Sequence, residues 1–228
     1  MPETRIPGRI TPVARLSSSA ERLRMGYYIR TLTPTDQRVR FSELRAALAK
    51  DHPTARLLLR EGTETEWKQL LLTHSNATPI ALIERNSVGE AAGAEELQEF
   101  RHEIQDCVPR AAATWLDHYL SRVRTIHAFQ VLAGTKLEKG WDILGCLKTT
   151  LWQKAGGIIQ ADREGFTNED GYHILWQFPD LVSGSWWMAV LEAGLWVHFQ
   201  MDLGNPTHRE AFMTGAIPPG VRRISARN

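Results

Sequence analysis

The chain has 228 residues, 43% of them apolar and 23% charged. These are ordinary globular values, which exclude bulk disorder and leave room for one large domain or two small ones. A formal charge of +1 lacks the basic excess of a dedicated nucleic-acid binder, and no run of about 18 apolar residues predicts a transmembrane helix.

Two cysteines, Cys107 and Cys146, are too few for a disulfide framework, so a reducing, cytoplasmic location fits best. Residues 1–24, "MPETRIPGRITPVARLSSSAERLR", carry five arginines and no apolar stretch. They do not match a secretory signal and read as a flexible basic tail outside the packed part.

Packing begins with "GYYIRTLTP", a strand rich in aromatic and β-branched residues. "FSELRAALAK" follows as a helix, with Ser42 as its cap and Phe41, Leu44 and Leu48 at helical spacing. "ARLLLREG" reads as a strand. "WKQLLLTH" and "PIALIERN" flank the turn "SNAT" and read as a hairpin. In "GAEELQEFRHEIQDCVP" the residues Leu97, Phe100, Ile104 and Cys107 share a stripe that Pro109 closes. "RAAATWLDHYLSRV" continues as a second helix, with Trp115, Leu116, Tyr119, Leu120 and Val123 inward.

"TIHAFQVLAG" is the next expected strand. "LEKGWDILGCLKTTLWQKAGG" is the next helix, with Trp141, Leu144, Leu147 and Leu151 inward and Gly156-Gly157 at its end. Four strands are then expected: "GIIQADREG", "GYHILWQF", "SWWMAVLEA" and "LWVHFQMD", with Gly194 turning the last pair.

The pattern predicts an α+β fold with mostly antiparallel sheets. Two βα-led halves, 25–90 and 125–215, are joined by a helical pair over 91–124, and 216–228 form a C-terminal tail. Arg60-Glu61-Gly62 in the first half matches Arg163-Glu164-Gly165 in the second. This raises an internal duplication with a period of about 100 residues.

The most concentrated chemistry is "WVHFQMDLGNPTHRE", with His198, Asp202, His208 and Glu210. On a strand, His198 and Asp202 share a face but stand roughly 13 Å apart, too far for two short side chains to chelate one ion. "NPTHRE" reads as a helix start, with Pro206 in the first turn and Thr207 and Glu210 as a capping box. No nucleotide-, metal- or nucleophile-elbow motif occurs, so neither cofactor nor metal is expected.

The remaining candidate is a polar, aromatic-rimmed groove on the rear sheet. It would draw Asp162, Glu164, His173, His198 and Asp202 from the polar alternates of the strands, with Tyr172, Trp186 and Trp196 at its edges. The competing reading is the ordinary solvated face of an antiparallel sheet. The chain is therefore expected to be a non-catalytic module that binds another protein. It is expected to engage neither a specific nucleic acid nor a membrane. The alternative is a small hydrolase or ligand-processing enzyme using rear-sheet carboxylates and histidines, and the sequence leaves catalysis open. Elemental analysis of protein purified without chelator is expected to find no stoichiometric transition metal. One equivalent of zinc lost on replacing both His198 and His208 would refute the spacing argument.

Overall fold

A computed structural model describes residues 26–224, so the basic tail at 1–24 lies outside the described residues. The fold is α+β, and every described strand register is antiparallel. In chain order the elements are β1 (Tyr27–Thr33), α1 (Phe41–Asp51), β2 (Arg56–Gly62), β3 (Trp67–Thr73) and β4 (Pro79–Ser87). Next come α2 (Ala91–Glu103), α3 (Arg110–Leu120), β5 (Thr125–Val131) and α4 (Gly140–Ala155). The chain then forms β6 (Ile158–Ala161), β7 (Gly165–Phe166), β8 (Ser185–Glu192), β9 (Leu195–Asp202), α5 (Pro206–Met213) and β10 (Arg222–Ile224). One sheet has the order β2-β3-β4-β5-β1-β6-β7, and a smaller one has the order β10-β9-β8. No helix among the described residues is long and apolar enough to cross a membrane.

The chain divides into two compact units, which strands β1, β4 and β5 each supply with residues. The first holds residues 26–28, Gln37–Arg85 and Phe129–Ala155. Its core is Phe41, Leu44 and Leu48 of α1, Leu144, Leu147 and Leu151 of α4, and Trp67, Leu70 and Leu72 of β3. The Trp67 indole donates to the Val39 carbonyl at 2.8 Å, so this large ring is buried with its polar atom satisfied.

The start of α1 differs from expectation. Phe41 must already be helical to bury beside Leu44, so the cap is Arg40, not Ser42. Two carboxylates take the exposed N–H groups there. Glu43 accepts from Arg40 N at 3.1 Å and Glu64 from Ser42 N at 2.7 Å. Both carboxyls are held below the ordinary range: Glu43 chiefly by the Arg40 N–H, Glu64 by the Ser42 side chain and N–H. Trp141 also departs from expectation. It is 43% exposed and edge-on to Tyr27 at 6.4 Å, because the buried side of α4 runs through Gly140, Ile143, Leu144 and Leu147 and leaves position 141 off it.

The second unit holds Ile29–Asp36, Asn86–Ala128 and residues 156–224. Helix α3 buries Ala112, Leu116, Tyr119 and Leu120 in a cluster that includes Leu97, Phe100, Ile158, Phe166, Ile174 and Ala189. Helix α2 ends at Glu103, before Pro109, and Pro109 instead caps α3. Cys107 lies beyond the helix and only packs against the cluster. A second cluster joins Met188, Val190, Phe199 and Met201 of β8 and β9 to Phe212 of α5 and to Phe178. The expected strand at 171–178 does not form. Ile174 and Leu175 are both fully buried, which a half-buried strand with alternating faces does not allow. His173 makes single bridges to Thr167 and Met188 instead.

Helix α5 begins at Asn205, whose side chain accepts from Thr207 N and His208 N at 3.0 and 3.4 Å. Pro206 takes the first turn as expected, but the cap is this asparagine and not the Thr207–Glu210 box. Farther along α5, Arg209 reaches back over Trp176 and donates to the carbonyls of Asp180 (3.0 Å), Val182 (2.7 Å) and Leu203.

Gly157 has φ +103, and a Cβ there would stand 2.2 Å from the Leu32 carbonyl oxygen. Phe212 is fully buried between Phe199 and Trp176. Phe212→Ala is expected to cost about 3–5 kcal/mol, read as a lower denaturant midpoint with an unchanged slope.

Candidate binding face of the three-stranded sheet

Strands β8 and β9 meet in a hairpin turned by Ala193 and Gly194, both at positive φ. Its register sets Trp187 opposite Gln200, Ala189 opposite His198, and Leu191 opposite Trp196. Strand β10 adds Arg222 opposite Gln200 and Ile224 opposite His198. Opposed residues share a face, so Trp187, Gln200 and Arg222 form one row and Ala189, His198 and Ile224 the next. The other face is the cluster around Phe199 and Phe212.

Strand alternation predicts that Phe199 and Met201 face the core, and they do. It also predicts a solvated or cleft-lining His198, which the structure corrects. His198 is 6% exposed. Tyr172 stacks on its ring at 4.0 Å and 15°. Neighbouring Trp196 stands edge-on to Trp115 of α3 at 5.0 Å. This sheet is therefore covered on both sides over much of its length.

A buried imidazole needs a partner, and Asn168 supplies it. The Asn168 oxygen accepts from Asp170 N at 3.1 Å and Tyr172 N at 2.9 Å. Those two bonds orient the amide, so its nitrogen faces His198 Nε2 at 3.0 Å and donates. His198 Nε2 is thus an acceptor, and the neutral ring carries its proton on Nδ1. Asp170 Oδ2 lies 3.3 Å from the same Nε2. Burial pushes the His198 pKa below its ordinary value, and Asp170 opposes that shift.

The structure separates most of the predicted groove. It brings Tyr172 and His198 together, and places His173 against Trp186 at 5.1 Å. Phe178 flanks both of the latter rings. His173 Nδ1 faces the Glu164 carbonyl at 3.1 Å. Asp162 sits 2.7 Å from the Arg30 guanidinium, which also meets Gln160 and Glu96. Asp202 holds a loop, accepting from Gly184 N at 3.0 Å and Gly204 N at 2.8 Å. Asn168, Asp170, Trp187 and Arg222 were not predicted. The readable signal was "NEDGY", an asparagine with a glycine three residues on, which suits a side-chain-closed turn.

Elsewhere chemistry is sparse. Burial pushes both free thiols up, aided by Glu103 at Cys107 and Asp51 at Cys146, which disfavours the thiolate a nucleophile needs. Burial and Asp162 raise the Glu103 carboxyl, and Glu103 accepts from Gln177 at 2.6 Å. It borders an open depression shared with Gln98, Glu99 and His102. Among the described residues no three His, Cys, Asp or Glu side chains are grouped to hold a metal ion. No family model matches this chain, nor does any curated protein or solved structure.

A histidine with a lowered native pKa binds its proton more weakly folded than unfolded. Between the unfolded value of about 6.5 and the lower native value, the unfolded chain holds more protons and stability falls with acid. The thermal midpoint is expected to drop as pH falls through that window. His198→Gln, which still accepts from Asn168, is expected to flatten the drop.

Proposed function

We propose that this chain is a non-catalytic binding protein that docks a protein partner on the Tyr172–Trp187 corner of its three-stranded sheet. One observation carries the reading. Trp187 is 40% exposed yet held in place, edge-on to Tyr172 at 6.1 Å and 86°, while Tyr172 is fixed against buried His198. An exposed indole on a rigid support loses little freedom on binding, and tryptophan and arginine dominate the energetics of protein interfaces. Gln200 and Arg222 extend the row with polar groups suited to a rim.

The hydrolase alternative has less support. Its carboxylates, Asp162 and Asp202, are engaged in an ion pair and a loop closure. His198, its imidazole, is buried and accepts from an amide. The two free cysteines support a reducing location such as the cytoplasm.

Trp187→Ala is expected to cost roughly 1–2 kcal/mol, from its edge-on pair with Tyr172 and its partial burial, to leave the protein folded, and to remove partner binding. Wild type and variant are used in parallel as baits on native lysate, and retained proteins are quantified by mass spectrometry. A partner held by wild type and depleted at least about tenfold by the variant, or about 1.4 kcal/mol, supports the reading. Identical retained sets from both baits refute it.

A further inference from the structure

We propose that His198 is a proton switch for this face, an inference that rests on the binding role given to the Tyr172–Trp187 corner. The geometry offers the ring two partners that cannot both be satisfied. Neutral His198 accepts from Asn168 Nδ2 at 3.0 Å, which leaves Asp170 Oδ2, 3.3 Å away, facing a lone pair. Protonated His198 presents an Nε2–H. That hydrogen suits Asp170 and opposes the Asn168 amide nitrogen.

Asn168 cannot relieve the conflict by turning over. Its oxygen is already used by Asp170 N and Tyr172 N, and its backbone N–H donates to the Tyr172 carbonyl at 2.8 Å. Flipping the amide would unmake the turn. Swinging the ring to Asp170 would leave the fully buried Asn168 nitrogen without an acceptor. Either response acts on the same five-residue turn, 168–172, whose last residue stacks on His198 and braces Trp187. Protonation therefore reaches the partner-binding corner through one short loop. The corner is assembled with neutral His198 and loosened in acid.

The groups around the ring give the switch one charged input. Asp170 and the Tyr172 phenol face it from the turn. Tyr119 of α3 lies in the adjoining cluster, and burial pushes its ionisation far upward. Glu169, next along the turn, acts on Tyr119. Across the strands stand Ala189 and Ile224, neither of which titrates. The nearest cation by register on the His198 face is Arg222, opposite Gln200, because Arg223, opposite Phe199, belongs to the other face.

The test is the long-range proton–nitrogen spectrum of imidazole-labelled full-length protein, followed between about pH 5 and 8 without any partner. The neutral ring is expected as the Nδ1–H tautomer. Asn168→Asp keeps an acceptor for both turn N–H groups and adds one for the charged ring, so the His198 protonation constant should rise at least about tenfold. Asp170→Asn removes the charged acceptor and should lower it. In wild type the amides of 168–172 and the Trp187 indole should titrate with His198, and in His198→Gln they should not.

An Nε2–H tautomer, or a His198 midpoint that neither substitution moves, overturns the switch whatever partner capture shows. Should Asn168→Asp fail to fold, Asp170→Asn alters a mostly exposed carboxylate and decides the question alone. If the spectra behave as expected and Trp187→Ala retains the same proteins as wild type, the switch stands and the binding role falls.

Discussion

A buried imidazole has to be hydrogen-bonded, and here one amide does it. Asn168 is fully buried, and its side chain makes three contacts that fix two things. Two close the turn that carries Tyr172. The third sets the tautomer of His198. Remove the amide and the turn loses its closure while the ring loses its donor. An unpaired buried polar group costs about 1–3 kcal/mol, and Asn168 prevents that loss at the His198 ring.

That arrangement explains why a three-stranded sheet is covered on both sides yet keeps one open corner. On one face, Phe199, Met201 and Phe212 make an ordinary apolar cluster. On the other, the turn at 168–172 lies over His198, and α3 covers Trp196. Cover stops at the row of Trp187, Gln200 and Arg222. The first unit is simpler, with α1 and α4 contributing apolar stripes and β3 a hydrophobic strand. Its polar features are helix ends and loop closures, such as Glu43 and Glu64 at α1.

Periodicity made most of the elements legible. The phase of β9 was correct, because Phe199 and Met201 alternate with polar residues on a strand with one apolar face. Leu144, Leu147 and Leu151 similarly marked the inner side of α4. The failures have a common physical origin in contacts distant along the chain. His198 looked solvent-facing because nothing local reveals that residues about 30 positions earlier fold over it. The aromatic, β-branched composition of "GYHILWQF" suggested a strand, but tertiary packing buries consecutive residues there. The groove dispersed because two of its carboxylates have separate structural partners: Arg30 for Asp162, two loop N–H groups for Asp202. Both helices were expected in the right segments, but the caps of α1 and α5 are Arg40 and Asn205 rather than Ser42 and Thr207. The choice between Ser42 and Arg40, or between Thr207 and Asn205, rests on which residue must first turn inward.

Arg209 has a consequence for how this part of the molecule comes apart. Its planar guanidinium gathers carbonyls from Asp180, Val182 and Leu203 while lying over Trp176. A lysine ammonium, a point charge on a flexible stem, would not match that planar fork. The segment around Asp180–Val182 has no strand or helix of its own, so its order is borrowed from α5. Helix, loop and the end of β9 are therefore tied through one side chain, and local opening of any of them is expected to loosen the other two.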